Sequence, residues 1–585
     1  MASEESSVTG RSIRLSISEI VDGLLDSYQR MGIPIRRYLL VILLPAFAFF
    51  LVTVGVAIVV ADLPFMIRAP IPLLGVLAFG TALFYPKILL SQQRTALNNR
   101  LHLFITHMTV LSTTRIDRME VFRALAEEDE YGALAEEMQR IVQLVDTWNQ
   151  SLDDALRRRA RQVPSDPLSD FFDRLAYSLG AGQPLDDFLM REQEQVMQNY
   201  ETVYTASLDN LEVMKDLYMS MILSMTFALV FAVVLPVLTG TDPTMTVSAV
   251  ILLFIFVQSG FFIAIRSMSP HDPLWYHPED IMTDLDRKMI AAFVAGIGLT
   301  AVLAFVSIGG FAGISPITLG DILPISPVPL PFYIAVPATP LLIPGLYMRR
   351  VEGGIRKKDE DFPSFIRALG SSEGAKQATT STVLKTLRRK DFGDLTGNID
   401  DLYKRLNMRI EPTAAWRYFT ADCRSYLIQK FSEMYLVGRE MGGSPKQLGE
   451  LISENMNVVL QLRQQRTQAT TTLIGLLYGI SAAATFAFFI GLQVVNILAN
   501  MTLDLSTSGQ FDVNSLINTQ VYNIPLIEFL LIVVIVFNAL LSSLMIRTTD
   551  GGHKLNAYMH FVILLWLGSL ISVFTKSMVS SFLAI

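Results

Sequence analysis

Apolar runs of about twenty residues or more recur nine times along this chain, at 38–61, 69–90, 217–239, 244–265, 289–311, 328–348, 470–499, 524–546 and 559–583. That length lets a helix cross about 30 Å of hydrocarbon, so each run is expected to span a membrane. The intervals between the runs alternate in chemistry. Segments 240–243, 312–327 and 500–523 hold no Lys or Arg, 62–68 holds only Arg68, and Lys576 lies near the far end of the last run. Nearly all the other Lys and Arg, of 47 in total, fall in the N-terminal segment, in two long polar blocks and in two short loops. Positive charge is retained on the cytoplasmic side, which orients the chain.

The expected order follows from that alternation. A cytoplasmic segment, 1–37, carries an amphipathic helix that Ser16 and Glu19 cap, with Ile20, Leu24, Tyr28 and Met31 on its apolar face. A span pair at 38–90 leads to a first cytoplasmic domain at 91–216, and a second pair occupies 217–265. A short cytoplasmic loop, 266–288, precedes a third pair at 289–348 and a second cytoplasmic domain at 349–469. A fourth pair at 470–546, a loop at 547–558 and a ninth span in 559–585 place the C-terminus outside a cell membrane. Composition agrees, with 51% hydrophobic residues and a mean hydropathy of +0.41. The one cysteine, Cys423, excludes an internal disulfide and a cysteine-based zinc site.

The polar blocks repeat one another. A shift of 261 residues carries Phe104 onto Phe365, Tyr131-Gly132 onto Phe392-Gly393, Leu175 onto Leu436, and Gly182-Gln183-Pro184 onto Gly443-Ser444-Pro445. Helical spacing of apolar positions, such as Leu168, Phe171, Phe172 and Leu175, or Leu427, Phe431, Met434 and Tyr435, makes each block a helical bundle. Ser151 through Asp154 has the form of a capping box. Segments 180–184 and 442–445 are the turns before the last helix of each bundle, glycine stopping one helix and proline suiting the first turn of the next. The fold class is all-α: a polytopic membrane protein with two tandemly duplicated cytoplasmic bundles.

Gly438-Arg439-Glu440-Met441-Gly442, followed by Gly443 and Pro445, resembles the Gly-x-Glu-x-Gly signature of the GspF/PilC-type membrane platform proteins of type II secretion and type IV pilus machines. The first copy, with Gly182 and Pro184, has Ser178 and Gly180 where that pattern would sit. Two bundles and nine spans are most similar to the archaeal branch, and within it to the archaellum assembly platforms. The resemblance implies a non-catalytic membrane platform that couples a cytoplasmic secretion ATPase to the assembly of pilin-like filament subunits, beside other motor-complex proteins and membrane lipids, in a homodimer. It implies no cofactor and no nucleic acid. An adhesion pilus in place of the archaellum is the alternative.

The residues agree by what they lack. No Gly-x-x-x-x-Gly-Lys-Ser/Thr loop is present to cradle a nucleotide phosphate, and no Gly-x-Ser-x-Gly or His-Glu-x-x-His occurs, so neither catalytic nor metal-binding residues are assigned. A transporter would need ionisable groups at membrane depth, and the runs are nearly free of them apart from Glu528. Gln258, Gln493, Asn496 and Asn538 are expected to hydrogen-bond between spans. His271, Asp272, His277 and Glu279 lie in one short loop, expected to rest at the membrane surface on Trp275 and Tyr276. Residues 92–216 carry 22 acidic against 13 basic side chains, whereas 349–469 carry 15 against 21. That contrast, with the basic cluster Arg388, Arg389 and Lys390 at the end of a helix, makes the cluster the candidate ATPase contact.

Overall fold

The computed structural model describes residues 38–59, 70–239, 242–278, 281–311, 319–322, 327–377, 379–507 and 523–583. The expected N-terminal amphipathic helix lies outside them. The chain divides into two compact units, 1–194 and 195–585. Among the described residues the structure is helical, with no strand beyond one isolated bridge.

The first unit begins with a short π-turn, Leu39–Leu43, and α1 (Leu44–Val59), which packs against α2 (Pro70–Asn99). Its bundle follows: α3 (Leu101–Ser112), α4 (Arg118–Ala126), α5 (Ala133–Asp146), α6 (Leu152–Ala160), α7 (Asp166–Gly180) and the start of α8 (Leu185–Thr239). Side chains set these boundaries. Asp117, Ser151 and Ser165 each accept a backbone N–H from the first turn of the helix that follows, satisfying donors that have no partner within the helix. Phe104, Phe122, Leu134, Ile141, Phe171 and Leu175 are fully buried between the helices.

The second unit continues with α9 (Pro243–Met268), α10 (Asp284–Phe311), the single turn α11 (Leu319–Ile322), α12 (Phe332–Ala338) and α13 (Leu342–Lys376). Its bundle adds α14 (Thr380–Leu387), α15 (Thr396–Asn407), α16 (Pro412–Cys423), α17 (Tyr426–Glu440) and the 63-residue α18 (Pro445–Thr507). Helices α19 (Ile524–Asp550) and α20 (Ala557–Leu583) complete it. Six helices, α8, α9, α10, α18, α19 and α20, contain stretches long and apolar enough to cross a membrane. The runs expected as the first and second spans are helical as well, whereas the sixth is interrupted. Helix α1 has 16 residues, and α2 runs on past Leu90 to Asn99. The run at 328–348 is broken into α12, a 3₁₀ turn at Thr339–Leu341 and α13, because Pro337 and Pro340 cannot donate to the preceding turn.

Between the spanning helices, apolar packing is joined by one buried polar chain. The Gln258 side-chain amide donates to Tyr218 Oη at 3.1 Å and to Asn538 Oδ1 at 2.5 Å. Asn538 Nδ2 in turn donates to Ser481 Oγ at 2.9 Å, so α8, α9, α18 and α19 are linked where no water competes. Glu528 pairs with Lys576 at 3.2 Å.

The two bundles repeat in detail. Phe104 meets Tyr131 edge-on at 5.4 Å and 86°, and Phe365 meets Phe392 at 5.6 Å and 82°. The next residues, Gly132 and Gly393, have φ of +53° and +56°. Farther along, the register is 260, one less than the sequence shift. Ser165 and Ser425 cap α7 and α17, and the left-handed turn glycines are Gly182 (φ +80°) and Gly442 (φ +85°). Gly182 therefore matches Gly442 rather than Gly443. In both turns the last carbonyls are satisfied in the same way: Gln183 N–H donates to Ser178 O and Gly443 N–H to Gly438 O.

The copies differ where the first and last helices of each bundle cross. In the second, Gly370 and Gly449 let α13 and α18 touch backbone to backbone, and a Cβ on Gly449 would lie 2.8 Å from Ile366 O. In the first, Thr109 and Leu189 occupy the matching places, and the Thr109 hydroxyl reaches toward Leu189 O at 3.5 Å. Gly449→Val should lower the melting temperature of the purified protein, at a cost of about 1–3 kcal/mol from overpacking. Gly354→Ala, at a helical position where nothing lies within 4 Å of the added carbon, should leave it unchanged or raise it slightly. Equal melting of both variants would remove the close crossing as a constraint.

Candidate functional site

The signature residues form a turn rather than a reactive centre. Gly438 is buried, Gly442 takes the left-handed conformation, and Pro445 opens α18. Glu440 is exposed. The carboxylate that organises this turn is Glu373, fully buried on α13. It accepts the Tyr435 hydroxyl at 2.9 Å and Arg439 Nε at 3.0 Å. Reading Gly-x-Glu-x-Gly from sequence put the emphasis on Glu440, while the interacting member is Arg439, beside it.

The basic cluster sits where it was expected, just past α14, but it is not uniform. Arg388 Nε pairs with Asp400 at 3.1 Å, and its guanidinium lies over the Tyr403 ring at 4.7 Å, which fastens α14 to α15. Arg389 and Lys390 are exposed.

Sequence reasoning missed a buried polar junction within the second unit, where apolar helices give way to the bundle. Arg463 of α18 is its centre. Its Nε and Nη2 donate to the two oxygens of Asp272 at 2.7 Å each, Nη2 also reaches Pro273 O at 2.9 Å, and Nη1 donates to Asp359 at 2.8 Å. Asp359, on α13, is 1% exposed and also accepts the hydroxyl of Ser425, the cap of α17. Burial pushes the Asp359 carboxyl up to about 6, against the pull of Arg463 and the Ser425 hydrogen bond. One turn on, Arg466 donates to Thr549 O at 2.6 Å and Thr548 O at 3.2 Å, at the end of α19. Gly551 has φ +74°, and a Cβ there would meet this guanidinium at 2.8 Å. Arg356 pairs with Asp550 at 2.8 Å.

The loop after α9 straps onto the same place. Tyr276 N–H donates to Arg424 O at 2.9 Å and Tyr426 N–H to Leu274 O at 3.1 Å, the isolated bridge noted above. Trp275 Nε1 donates to Glu352 at 3.1 Å. Glu352 also receives the His553 backbone N–H and Asn556 Nδ2, and burial raises its carboxyl although these donors hold it down. Arg424, buried and left-handed at φ +62°, pairs with Asp286 at the start of α10. Trp275 and Tyr276 thus bind the loop to the bundle. Among the described residues His271 and His277 gather no metal-ligand set, and the His277 ring stacks on His553 at 6.0 Å. The clue in the sequence was Arg463 and Arg466, three apart at the head of an apolar helix, with Asp272 and Asp359 as available acids.

The junction ties α9, α10, α13, α17, α18 and α19 by charge-assisted bonds whose geometry admits one arrangement. Removing Arg463 would leave two buried carboxylates without their cation, so Arg463→Met should cost about 3–5 kcal/mol. Asp359→Asn should cost less, and it has a pH signature. The folded chain protonates Asp359 near 6, against an ordinary value of 3.8, so this group's contribution to stability declines as pH rises from about 4 to about 6 and is flat above. Melting followed across that range should lose this slope in Asp359→Asn; an unchanged slope would assign the titration to another group.

Comparison with known proteins adds family. Residues 104–234 match the family model for protein F of the type II secretion system. The chain is 33% identical over 568 residues to flagella accessory protein J of Methanocaldococcus jannaschii, covering 96% of this chain and 98% of that one. It is also 33% identical over 563 residues to flagella accessory protein J of Methanococcus voltae, covering 96% and 99%. No solved structure matches it.

Proposed function

We infer that this chain, which belongs to the flagella accessory protein J family, is the membrane platform of an archaellum-type filament machine. It takes up motion from a cytoplasmic ATPase and passes it to helices that handle filament subunits, without catalysing a reaction itself. The observation that carries the mechanical part is α18, one uninterrupted helix of 63 residues, roughly 95 Å long. Its first turns belong to the second bundle and its stretch from Leu473 to Val495 to the apolar core, and Arg463 and Arg466 grip it between them. A push on the bundle therefore has a rigid path, and the grip decides how α9, α10 and α19 follow.

The N-terminus and both bundles face the cytoplasm in this reading, supported by the distribution of Lys and Arg. Cys423 makes the test simple. Its thiol is buried and pushed up to about 12 by that burial, so it stays protonated and unreactive in the folded chain. Thr386→Cys, on exposed α14, should resist a membrane-impermeant maleimide on intact cells and react after lysis, whereas Ser581→Cys should react on intact cells. The opposite pattern would reverse the orientation.

The ATPase reading is tested at Arg389 and Lys390. Arg389→Glu with Lys390→Glu should weaken ATPase pull-down and reduce swimming, with melting unchanged. Arg388 is left alone because its loss would open the α14–α15 pairing. Retained pull-down at low salt together with normal filaments would move the contact elsewhere. A deletion strain that swims but no longer adheres would assign the platform to an adhesion pilus.

A further inference from the structure

A cleft of about 640 Å³ opens between the ends of α9 and α19, with Arg266, Ser269, Arg466, Arg547 and Lys554 among its lining residues. The carboxylates around it are already engaged. Asp272 is held at both oxygens by Arg463, Asp550 pairs with Arg356, and Glu352 receives three N–H donors. Among the described residues no carboxylate forms an ion pair with Arg266, Arg547 or Lys554, and Arg466 donates only to neutral oxygens. Four cations therefore face one concavity, and the one described carboxylate that lines it, Asp272, is taken up by Arg463. The His553 ring in the wall is pushed down to about 4, first by burial and then by His277, Arg547 and Lys554, as expected in a positive field.

We propose that this cleft binds a phosphate group, carried by an anionic phospholipid or free in solution. Guanidinium and ammonium groups around a recess are the donors that phosphate oxygens need. The recess lies where two apolar helices, α9 and α19, end, and basic pockets between spanning helices take lipid head groups. Cations that serve topology alone need only an open surface. Here they surround a recess, and the acids that could neutralise them are bound to other partners.

The test uses the full chain in neutral detergent, with melting temperature read against added phosphatidylglycerol, phosphatidylcholine or inorganic phosphate. Phosphatidylglycerol should raise the melting temperature and phosphatidylcholine should not. A matching rise with inorganic phosphate would identify the soluble ion as a ligand, and a rise with phosphatidylglycerol alone would identify the lipid. Arg266→Gln with Lys554→Gln removes two exposed cations that make no described contact, so the variant should melt like the parent without ligand and need roughly tenfold or more ligand for the same shift. Lys554→Gln alone should move the midpoint in the same direction. Arg389→Gln with Lys390→Gln, the same loss of charge elsewhere, should bind like the parent. An equal response to phosphatidylcholine, a parental midpoint in the cleft variants, or the same weakening in the distant variant would overturn the proposal.

Discussion

Arg463 carries one positive charge and meets two carboxylates from different parts of the chain, Asp272 from the loop after α9 and Asp359 from α13. Neither acid could stay ionised in so dry a place alone, and the guanidinium could not be buried there without them. Each member thus fixes the others. The loop is held close enough for Trp275 to reach Glu352, and α17 starts where Ser425 can reach Asp359. Arg466, one turn on from Arg463, then meets the end of α19. Hydrophobic burial would permit many sliding arrangements of these helices. The shared guanidinium selects one.

The two bundles share one pattern and differ in how their helices are fastened. Both keep the edge-on aromatic pair, the left-handed glycine after it, the serine cap and the closing turn. At the helix crossing, glycines in the second copy let two backbones touch, while the first copy has Thr109 and Leu189 there. Glu373 is a further difference: its partners Tyr435 and Arg439 correspond to Leu175 and Leu179 in the first bundle, where that polar clasp has no counterpart. The first bundle has ion pairs of its own, Arg159 with Glu137 and Arg174 with Glu192, but the second is the one continuous with the junction.

Much of this architecture was legible in the order of residues. Helical class, the repeat, the turns and the apolar runs all depend on local spacing, because a helix face recurs every three to four residues and a turn needs its glycine at one place. The polar groups within spans were legible too, since Gln258 and Asn538 had no water to turn to. Legibility failed where a residue's meaning lay in its partner. Glu440 looked like the key member of its motif and points outward, while Glu373, 67 positions earlier, does the holding. Trp275 and Tyr276 looked like membrane anchors, because aromatic residues beside a span usually are.

The sequence by itself determined which segments are helical, which of them are long and apolar, and that two bundles share one pattern; each depends on spacing and composition over a short window. Only the tertiary structure decided that the repeat loses one residue between Gly393 and Ser425, and that Pro337 and Pro340 break one apolar run. It also decided that Asp272 and Asp359, 87 positions apart, share one arginine. The physical reason is range. A hydrogen bond or an ion pair forms over about 3 Å in space and carries no memory of separation along the chain, so its partners become visible only when the helices that bear them are packed.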